Sequence, residues 1–232
     1  MSSEAGSPGA PSAVIDHLVI GAIDLEEGAA WAETTLGVPP GGRGKHALMG
    51  THNLLWRLDA TPGGRGPAYL EVVAVDPEAP DPRRPRWFGL DDARTRARLA
   101  ARPRLLTWQV RAATEIQTAI DVLSEAGIDA GPAVAVTRDD LSWRLTVPED
   151  GMMPLDGLCP VVIEWDEGCA QPPARLPPSG LALTGLAIGG PAPLLPDALA
   201  AIGAGALVTL APEDVPGLAA TVVTPRGEVL ID

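Results

Sequence analysis

Residues 14–38 constrain the possible fold of this chain more than any other segment, because they combine one strand pattern with one helix pattern. The first part is a short run of β-branched and other apolar residues around His17, which is typical of a buried strand. Asp24 stands where a helix N-cap belongs, and Glu27 follows three residues later. Gly37, with two prolines shortly after it, predicts the end of the helix. The segment therefore predicts a strand that carries His17, followed by a helix.

Three further strands are predicted to complete this first unit. Short strands are expected at 47–49 and 53–58, after a glycine-rich turn at 41–44. A stronger strand at 69–75 carries one charge, Glu71, between large apolar neighbours. The predicted order is β-α-β-β-β, and a proline-rich segment ends the unit.

The same order is predicted again from Leu105 onward. A strand at 105–110 precedes a helix that a capping box of Thr114 and Gln117 would open and Gly127 would close. Sequence letters also repeat in the third and fourth strands, where two triplets recur: Trp56-Arg57-Leu58 as Trp143-Arg144-Leu145, and Leu70-Glu71-Val72 as Ile163-Glu164-Trp165. Two such matches in the same order indicate an internal duplication.

A fainter third copy is predicted at 181–231. Gly185 falls where His17 stands in the first copy, and Ile231 lies near the place of Glu71. Because both chemical groups are missing, we interpret the third copy as structural. The predicted organisation has five segments: a disordered tail (1–12), a first module (13–76), a Pro/Arg-rich connection (77–103), a second module (104–170) and a third module without a site (171–232).

The composition excludes some classes of partner and cofactor. With a net charge of −13, the chain repels nucleic acid and anionic membranes, which are bound through many Lys and Arg side chains. No apolar run approaches the roughly 20 residues of a membrane span. The acidic start predicts no signal peptide, so a cytoplasmic location is expected. Cys159 and Cys169 are expected to be free thiols, and no P-loop or dinucleotide fingerprint predicts a nucleotide cofactor.

Two or more β-α-β-β-β units, with a His in the first strand and a Glu in the last, resemble the vicinal oxygen chelate superfamily of glyoxalases, extradiol dioxygenases and bleomycin-resistance proteins. The stretches HALMGTHN (46–53), YLEVVAVDP (69–77) and RPRWFGLD (84–91) look like the bacterial glyoxalase-like domain proteins. The resemblance implies an α+β fold in which curved mixed sheets of paired modules form a cup. It also implies a divalent metal, held by inward residues from the first and fourth strands of each module.

Transferred residue by residue, the resemblance places His17, Glu71 and Glu164 at metal-ligand positions. The remaining position falls on Thr107 or Trp108, and neither is a usual ligand. Gln109 is chemically acceptable, but a slip of one residue points a strand side chain to the opposite face. An imidazole with two carboxylates suits Zn, Mn, Fe or Ni and leaves open positions for substrate.

A second interpretation needs no metal. His17 would be a buried core histidine, and Glu71 and Glu164 would pair with Arg57 or Arg144 across the sheet. In either case a cation or a proton must neutralise the two glutamates, because burying an unpaired carboxylate is energetically costly. The residues alone leave both interpretations open.

Several other residues are candidates for the site. His46 and His52 flank a Gly-Thr turn, and His52 is preferred as a general acid or base because it leads directly into a strand. Trp87 and Phe88 form either a lid or simple packing under a loop. Eight of the 17 basic residues lie within 83–104, as a solvated helix or as a rim that attracts anions.

Two functions follow from these assignments. The first is a metal-dependent enzyme of the lyase/isomerase or dioxygenase type that acts on a small oxygen-bearing substrate, with Glu71, Glu164 and His52 as catalytic groups. Substrate binding would then fall to five residues: Asn53, Trp87, Phe88, Trp108 and Arg144. The second is a binding protein of the bleomycin-resistance type that holds an apolar small molecule between Trp87, Trp108 and Trp165 without metal.

A homodimer is also predicted. The segment 181–232 is strongly apolar and has few charges to solvate a free face. Such a face is most readily covered by a second copy across a two-fold axis.

Overall fold

The computed structural model describes residues 12–62, 66–212 and 217–232, so residues 1–11 of the predicted tail lie outside the described residues. The strands are β1 (Val14–Gly21), β2 (Gly42–His46), β3 (Thr51–Ala60), β4 (Ala68–Val75), β5 (Arg104–Arg111), β6 (Ala133–Arg138), β7 (Leu141–Thr146), β8 (Val161–Trp165), β9 (Leu181–Gly189), β10 (Thr209–Leu210), β11 (Gly217–Thr224) and β12 (Gly227–Ile231). The helices are α1 (Leu25–Leu36), α2 (Ala93–Leu99), α3 (Ile116–Glu125), α4 (Pro172–Arg175) and α5 (Leu195–Ala201). None of these helices is long and apolar enough to cross a membrane.

The strands join one mixed sheet in the order β12-β11-β9-β3-β4-β1-β5-β8-β7-β6, with β2 on β3 and β10 on β9. In the first half, β1 lies parallel to β4, and in the second half β5 lies parallel to β8. The two halves meet where β1 runs antiparallel to β5. This curved mixed sheet with few helices confirms the predicted fold class.

The strand pairing shows that the repeated sequence triplets do not occupy equivalent positions in the two halves. His17 lies beside Tyr69 in the first half, and Gln109 lies beside Val161 in the second. Two residues further along, Glu71 therefore corresponds to Ile163 rather than to Glu164. Because successive strand residues point to opposite faces, this single-residue offset decides which side chains face the cup.

The third strand of each half shows a larger offset. Glu71 pairs with Leu55, and Ile163 pairs with Leu145. Trp56 of the letter repeat therefore corresponds to Thr146 and not to Trp143. The two halves share their arrangement of elements, but the two triplets are not equivalent positions.

Local signals were right for α1 and wrong for residues 41–49. The Asp24 side chain accepts a hydrogen bond from the Glu27 amide at 2.7 Å, and Gly37 ends the helix at a φ of 71°, as predicted. Residues 42–44 of the predicted turn belong to β2, and the predicted strand at 47–49 lies in the turn that follows it.

The helix α3 does not begin with the predicted capping box. Its N-cap residue is Glu115, which makes no side-chain capping bond. The backbone amide of Ile116, at the first position of the helix, instead donates a hydrogen bond to Glu164 Oε1 at 3.1 Å. A carboxylate from β8 therefore caps this helix, a long-range contact that no local motif encodes.

The third copy has the predicted order of elements but a different pairing. Its first strand, β9, pairs antiparallel with β11 and parallel with β3. The chain end is held against β5, where the Leu105 amide donates to the Asp232 carbonyl at 3.2 Å. The segment therefore continues the sheet of the first half rather than forming a separate cup.

Most of the apolar surface that motivated a dimer is buried inside this chain. Seven apolar side chains of the segment 181–232 lie in the same core cluster as residues of α1 and α3: Leu181, Leu183, Leu186, Ile188, Leu207, Val222 and Ile231. Leu210, Val223 and Leu230 stay exposed, with Leu230 67% accessible. The homodimer stays a prediction, and its remaining support is these three side chains.

Gly157 provides a test of the packing between β5 and the turn before β8. Its φ is +92°, and a Cβ there would overlap the Leu106 carbonyl oxygen. Gly157→Ala is therefore expected to lower the free energy of unfolding by about 2–4 kcal/mol, measured by chemical denaturation. Gly168→Ala is the matched control, since Gly168 has a φ of +77° with nothing within 4 Å of a Cβ, and it should cost about 1 kcal/mol. Equal losses in the two variants would contradict the packing described.

Candidate functional site

A small cavity lies between the two halves of the sheet, where β1 meets β5. Its volume is about 20 Å³, which is room for about one water-sized group. Polar side chains cover part of its wall: His17, His46, Asn53, Glu71, Gln109 and Arg138. Aromatic rings cover much of the rest: Tyr69, Trp87, Phe88, Trp143 and Trp165. The cavity therefore combines a polar floor with an apolar enclosure, as small-molecule sites do.

A β-bulge positions the histidine. The pairing of β1 with β5 shifts register between Ile15 and His17, which leaves Asp16 as the extra residue. The Asp16 carboxylate reaches back to its neighbour, and Asp16 Oδ1 lies 2.7 Å from His17 Nδ1. His17 Nδ1 therefore carries a proton that it donates to Asp16, and Nε2 is left to face the cavity.

Asp16 is itself held in place by the second half of the chain. The Trp165 indole N–H donates to Asp16 Oδ2 at 2.9 Å, and the Arg111 Nε lies 3.2 Å from the same oxygen. Asp16 is 2% exposed, so these partners replace the water it has lost. The orientation of His17 thus depends on both halves of the sheet.

Glu71 is the buried carboxylate of the cavity. Its Oε2 lies 3.6 Å from His17 Nε2, and its Oε1 accepts a hydrogen bond from Asn53 Nδ2 at 2.5 Å. Burial raises the pKa of Glu71, but hydrogen bonds from His17 and Asn53 and the charges of the two nearby histidines outweigh burial and lower the pKa to about 2. Burial also lowers the pKa of His17, and the bonds to Asp16 and Glu71 more than reverse this, so that its pKa is raised. Glu71 is therefore ionised at neutral pH.

Two buried oxygens of the cavity have no hydrogen-bond partner in the described protein. They are Gln109 Oε1 and Asn53 Oδ1. Gln109 lies directly opposite His17 in the β1–β5 pairing and is 2% exposed. A buried acceptor without a donor is costly, so a cation or a hydrogen-bond donor would be stabilised beside these oxygens.

His46 closes another side of the cavity. Its Nδ1 lies 3.1 Å from the Thr51 hydroxyl, and Arg138 Nη1 donates to its Nε2 at 3.2 Å. Burial lowers the pKa of His46 to about 4, and the positive charge of Arg138 adds to this effect. His46 is therefore neutral at pH 7, and both ring nitrogens are engaged.

The aromatic residues stack in pairs around the polar groups. Trp87 lies on Phe88 with ring centroids 5.3 Å apart, and Trp143 lies near Trp165 at 5.2 Å. Tyr69 stacks on the His17 imidazole at 4.2 Å. Trp87 and Phe88 are 3% and 4% exposed, so this segment both packs under its loop and encloses the cavity.

The structure brings some predicted site residues together and separates others. His17, Glu71, Asn53, Trp87 and Phe88 all line the cavity. Glu164 does not, because it lies on the other face of β8, where it pairs with Arg144 opposite on β7. The predicted alternative of a Glu164–Arg144 pair is therefore what the structure contains. Arg57 pairs with Asp59 at 3.0 Å and not with Glu71.

Three further predicted residues also lie away from the cavity. The Trp108 side chain is buried in the main core, and its indole N–H donates to the Leu158 carbonyl at 3.0 Å. The Thr107 hydroxyl donates to the Gly157 carbonyl at 3.3 Å. His52 lies on the opposite face of β3 from Asn53, with its Nδ1 3.9 Å from Asp76. None of the clustered arginines at 83–104 lines the cavity either.

Sequence reasoning missed several residues that line the site or support it. Gln109 and Trp143 were not assigned to the cavity, because matching the sequence triplets hides the offset between the two halves. Only the strand pairing shows this offset. Asp16 is visible beside His17 in the sequence, but without the bulge it would point to the other face. No sequence motif marks Arg138, which lines the cavity because it lies at the end of β6.

The pKa of His46 predicts a pH dependence of stability. Because the pKa is about 4 in the folded chain and about 6.5 in the unfolded chain, the unfolded chain binds more protons between these values. Stability is then lost as the pH falls from 6.5 towards 4. His46→Gln should reduce the slope of the unfolding free energy with pH in this range by up to about 1.4 kcal/mol per pH unit, measured by urea denaturation.

The control for this measurement is His52→Gln. His52 is partly exposed on the other face of β3, so it loses less hydration than the fully buried His46, although burial lowers its pKa too. A smaller change of slope is therefore expected. The same slope in wild type and His46→Gln would contradict a neutral buried His46.

Comparison with known proteins gives one family match and several distant structures. A family model described as "Glyoxalase-like domain" matches residues 15–206. No curated protein matches the chain. Similar solved structures include a hypothetical protein from Staphylococcus aureus, 13% identical with a TM-score of 0.47, covering 76% of this chain and 69% of that chain.

Two others are methylmalonyl-CoA epimerases. The enzyme from Streptomyces coelicolor, in complex with 2-nitronate-propionyl-CoA, is 17% identical with a TM-score of 0.42, covering 68% of this chain and 98% of that chain. The enzyme from Mycobacterium tuberculosis is 17% identical with a TM-score of 0.37, covering 65% and 85%. Likeness at this level carries no argument about substrate. The family model, however, spans most of the chain and confirms the resemblance seen in the sequence, so this protein belongs to the glyoxalase-like domain family of the vicinal oxygen chelate superfamily.

Proposed function

We propose that this protein is a metal-dependent glyoxalase-like enzyme that acts on a small oxygen-bearing substrate in the cup between its two halves. One observation carries the proposal: His17 Nε2, the Glu71 carboxylate and the unpartnered Gln109 Oε1 line one cavity of about 20 Å³. When His17 Nε2 carries no proton, all three are acceptors. A divalent cation can then satisfy them together.

The residues present fit such an ion by their chemistry. An imidazole nitrogen, a carboxylate and an amide oxygen suit Zn, Mn, Fe or Ni, and three protein ligands leave open positions for substrate. The described residues contain no group of three or more His, Cys, Asp or Glu side chains placed to hold a metal. The proposed set has two such side chains, and the third ligand is the amide of Gln109.

The fourth symmetric position is Ile163, which cannot bind a metal. The proposed ligand set is therefore asymmetric, with two ligands from the first half and one from the second. Glu164, which the sequence predicted as a ligand, is not part of the set, because its oxygens bind Arg144 and the N-terminus of α3.

A bound divalent ion would polarise the substrate oxygens and stabilise negative charge that develops on them. The chain itself orients the groups around it. Asp16 keeps the proton on His17 Nδ1, and Asn53 fixes one oxygen of Glu71. Among the described residues that line the cavity, Glu71 is the only carboxylate, so we assign it as the group that accepts a proton from the substrate.

A specific observation favours a second candidate, a binding protein without metal. His17 lies between the Asp16 and Glu71 carboxylates, so a protonated imidazole would neutralise Glu71 with no other cation. The cavity walls are largely aromatic, with Trp143 in the place predicted for Trp108. An apolar small molecule that displaces these rings would then be the ligand.

Metal content distinguishes the two candidates. Protein purified without chelator is expected to hold about one equivalent of a transition metal. Glu71→Gln and Gln109→Leu should each weaken metal binding by about tenfold or more, as measured by elemental analysis and competition titration. Glu164→Gln is the matched control, because it changes a glutamate on the corresponding strand that faces away from the cavity, and it should leave metal binding unchanged.

Two results would contradict the metal site. One is wild-type protein with less than about a tenth of an equivalent of metal and no binding on titration. The other is equal loss in Glu71→Gln and Glu164→Gln. Either result would favour the binding protein.

Asp16 provides a separate prediction about positioning. Asp16→Asn keeps the shape of the side chain but removes the charge that holds His17 Nδ1–H and pairs with Arg111. Metal affinity is expected to fall by about ten- to a hundredfold, because partners of this kind fix the tautomer and raise the basicity of a ligand. Near-UV circular dichroism should stay native. Unchanged metal affinity would show that the bulge does not orient His17.

A further inference from the structure

Arg138 is the one side chain of the cavity wall, among the described residues, that is a permanent cation. It ends β6, the last strand in the sheet order, and its side chain lines the cavity. It makes none of the ion pairs found in the described parts of the chain. Because no carboxylate of the described chain pairs with it, the Arg138 guanidinium is available to an anionic ligand in this cavity.

Weak contacts hold the guanidinium where it lies. Its Nη1 donates to the neutral ring of His46 at 3.2 Å, and its Cζ lies 5.9 Å from the centroid of the Trp143 ring. A guanidinium has five N–H donors, so most of its hydrogen-bonding capacity is left over. The same donors match a carboxylate in a two-bond arrangement that is stronger than a single bond to a neutral imidazole.

Gly44 leaves the space that the guanidinium occupies. A Cβ at Gly44 would overlap the end of the Arg138 side chain. The contact thus joins β2 of the first half to β6 of the second without any charge pairing. Arg138 fills the space between β2 and β6, and its charge is not used for that purpose.

The size of the cavity makes Arg138 the part that must move. About 20 Å³ is far too small for an organic substrate, so a side chain has to give way on binding. Trp87 and Phe88 are nearly fully buried, and Trp165 is tied to Asp16. Arg138 is half-buried, long and held by one neutral hydrogen bond, so its displacement costs least.

We propose that Arg138 binds a carboxylate of the substrate, and that the substrates are small organic carboxylates whose remaining oxygen faces His17, Glu71 and Gln109. The part that concerns those three residues rests on the proposed function. Anion binding by Arg138 does not depend on a metal. The carboxylate replaces the His46 contact with two charge-assisted bonds, and movement of the guanidinium opens the mouth of the cup.

The test uses pairs of small acids and their neutral amides: pyruvate with pyruvamide, lactate with lactamide, and benzoate with benzamide. Binding to the chelator-treated full chain is followed by tryptophan fluorescence, since Trp143 lies under the guanidinium. At least one acid should bind saturably and its amide about tenfold more weakly or worse. Arg138→Gln should abolish this preference, and Arg138→Lys should keep part of it because the charge stays.

Arg144→Gln is the matched control, because Arg144 lies on the neighbouring strand and pairs with Glu164 on the other face. It should bind the acids as wild type does. The proposal is overturned if no acid of the panel binds to wild type, if acids and amides bind equally, or if Arg138→Gln keeps the preference.

Its failure is distinguishable from failure of the metal site. Acid binding that needs added metal, disappears in Glu71→Gln and survives in Arg138→Gln would overturn the role of Arg138 and leave the metal-dependent function intact. Acid binding that disappears in Arg138→Gln, in protein that never takes up metal, would support the role of Arg138 and contradict the metal-dependent function.

Discussion

The antiparallel pairing of β1 with β5 is the constraint on which the site depends. It joins the two halves of the sheet, sets Gln109 directly opposite His17, and contains the bulge that turns Asp16 towards its neighbour. A shift of one residue in this pairing would move Gln109 into the core and Trp108 into the cup. The large Trp108 ring fixes the register, because it is completely buried in the main core and its indole N–H is hydrogen-bonded.

This dependence explains which parts of the site the sequence predicts. His17 and Glu71 lie in strongly apolar strands, where a single polar residue stands out, and both line the cavity. The helix α1 carries its own start and stop signals, and both were correct. The fold class was implied by the resemblance to the vicinal oxygen chelate superfamily, which rests on the repeated order of elements and hence on local patterns.

The failures share one physical cause, which is that register is a long-range property. Glu164 was placed in the site by matching letters, but the pairing of β5 with β8 puts Ile163 on the inner face instead. Gln109 was not assigned as a ligand, because a shift of one residue was expected to turn its side chain to the opposite face. The observed pairing instead places Gln109 directly opposite His17. The capping of α3 by Glu164 and the reach of Arg138 to His46 join residues 48 and 92 positions apart, so no local motif predicts them.

The two halves of the cup have different chemical roles as a result. The first half contributes the imidazole and the carboxylate, and the second contributes an amide, the aromatic rings of Trp143 and Trp165, and the guanidinium of Arg138. Ile163 in place of a second glutamate removes one negative charge from the cavity. With two inward glutamates the site would hold a cation more strongly, but it would also repel an anionic substrate at close range. A cavity with one carboxylate and one arginine favours a cation at one side and an anion at the other.

The choice between the two proposed functions then depends on one proton. His17 Nδ1 is bound to Asp16 in either case, so the alternatives differ only in whether Nε2 carries a hydrogen. Protonated, His17 neutralises Glu71 and has no lone pair for a metal. Deprotonated, it leaves Glu71 and Asp16 with more negative charge than Arg111 alone balances, and a divalent ion restores the balance. Metal and proton therefore compete for the same nitrogen. The unpartnered Gln109 Oε1 supports the proposed metal in this competition, because an imidazolium already shared by two carboxylates does not satisfy this acceptor, whereas a metal ion can.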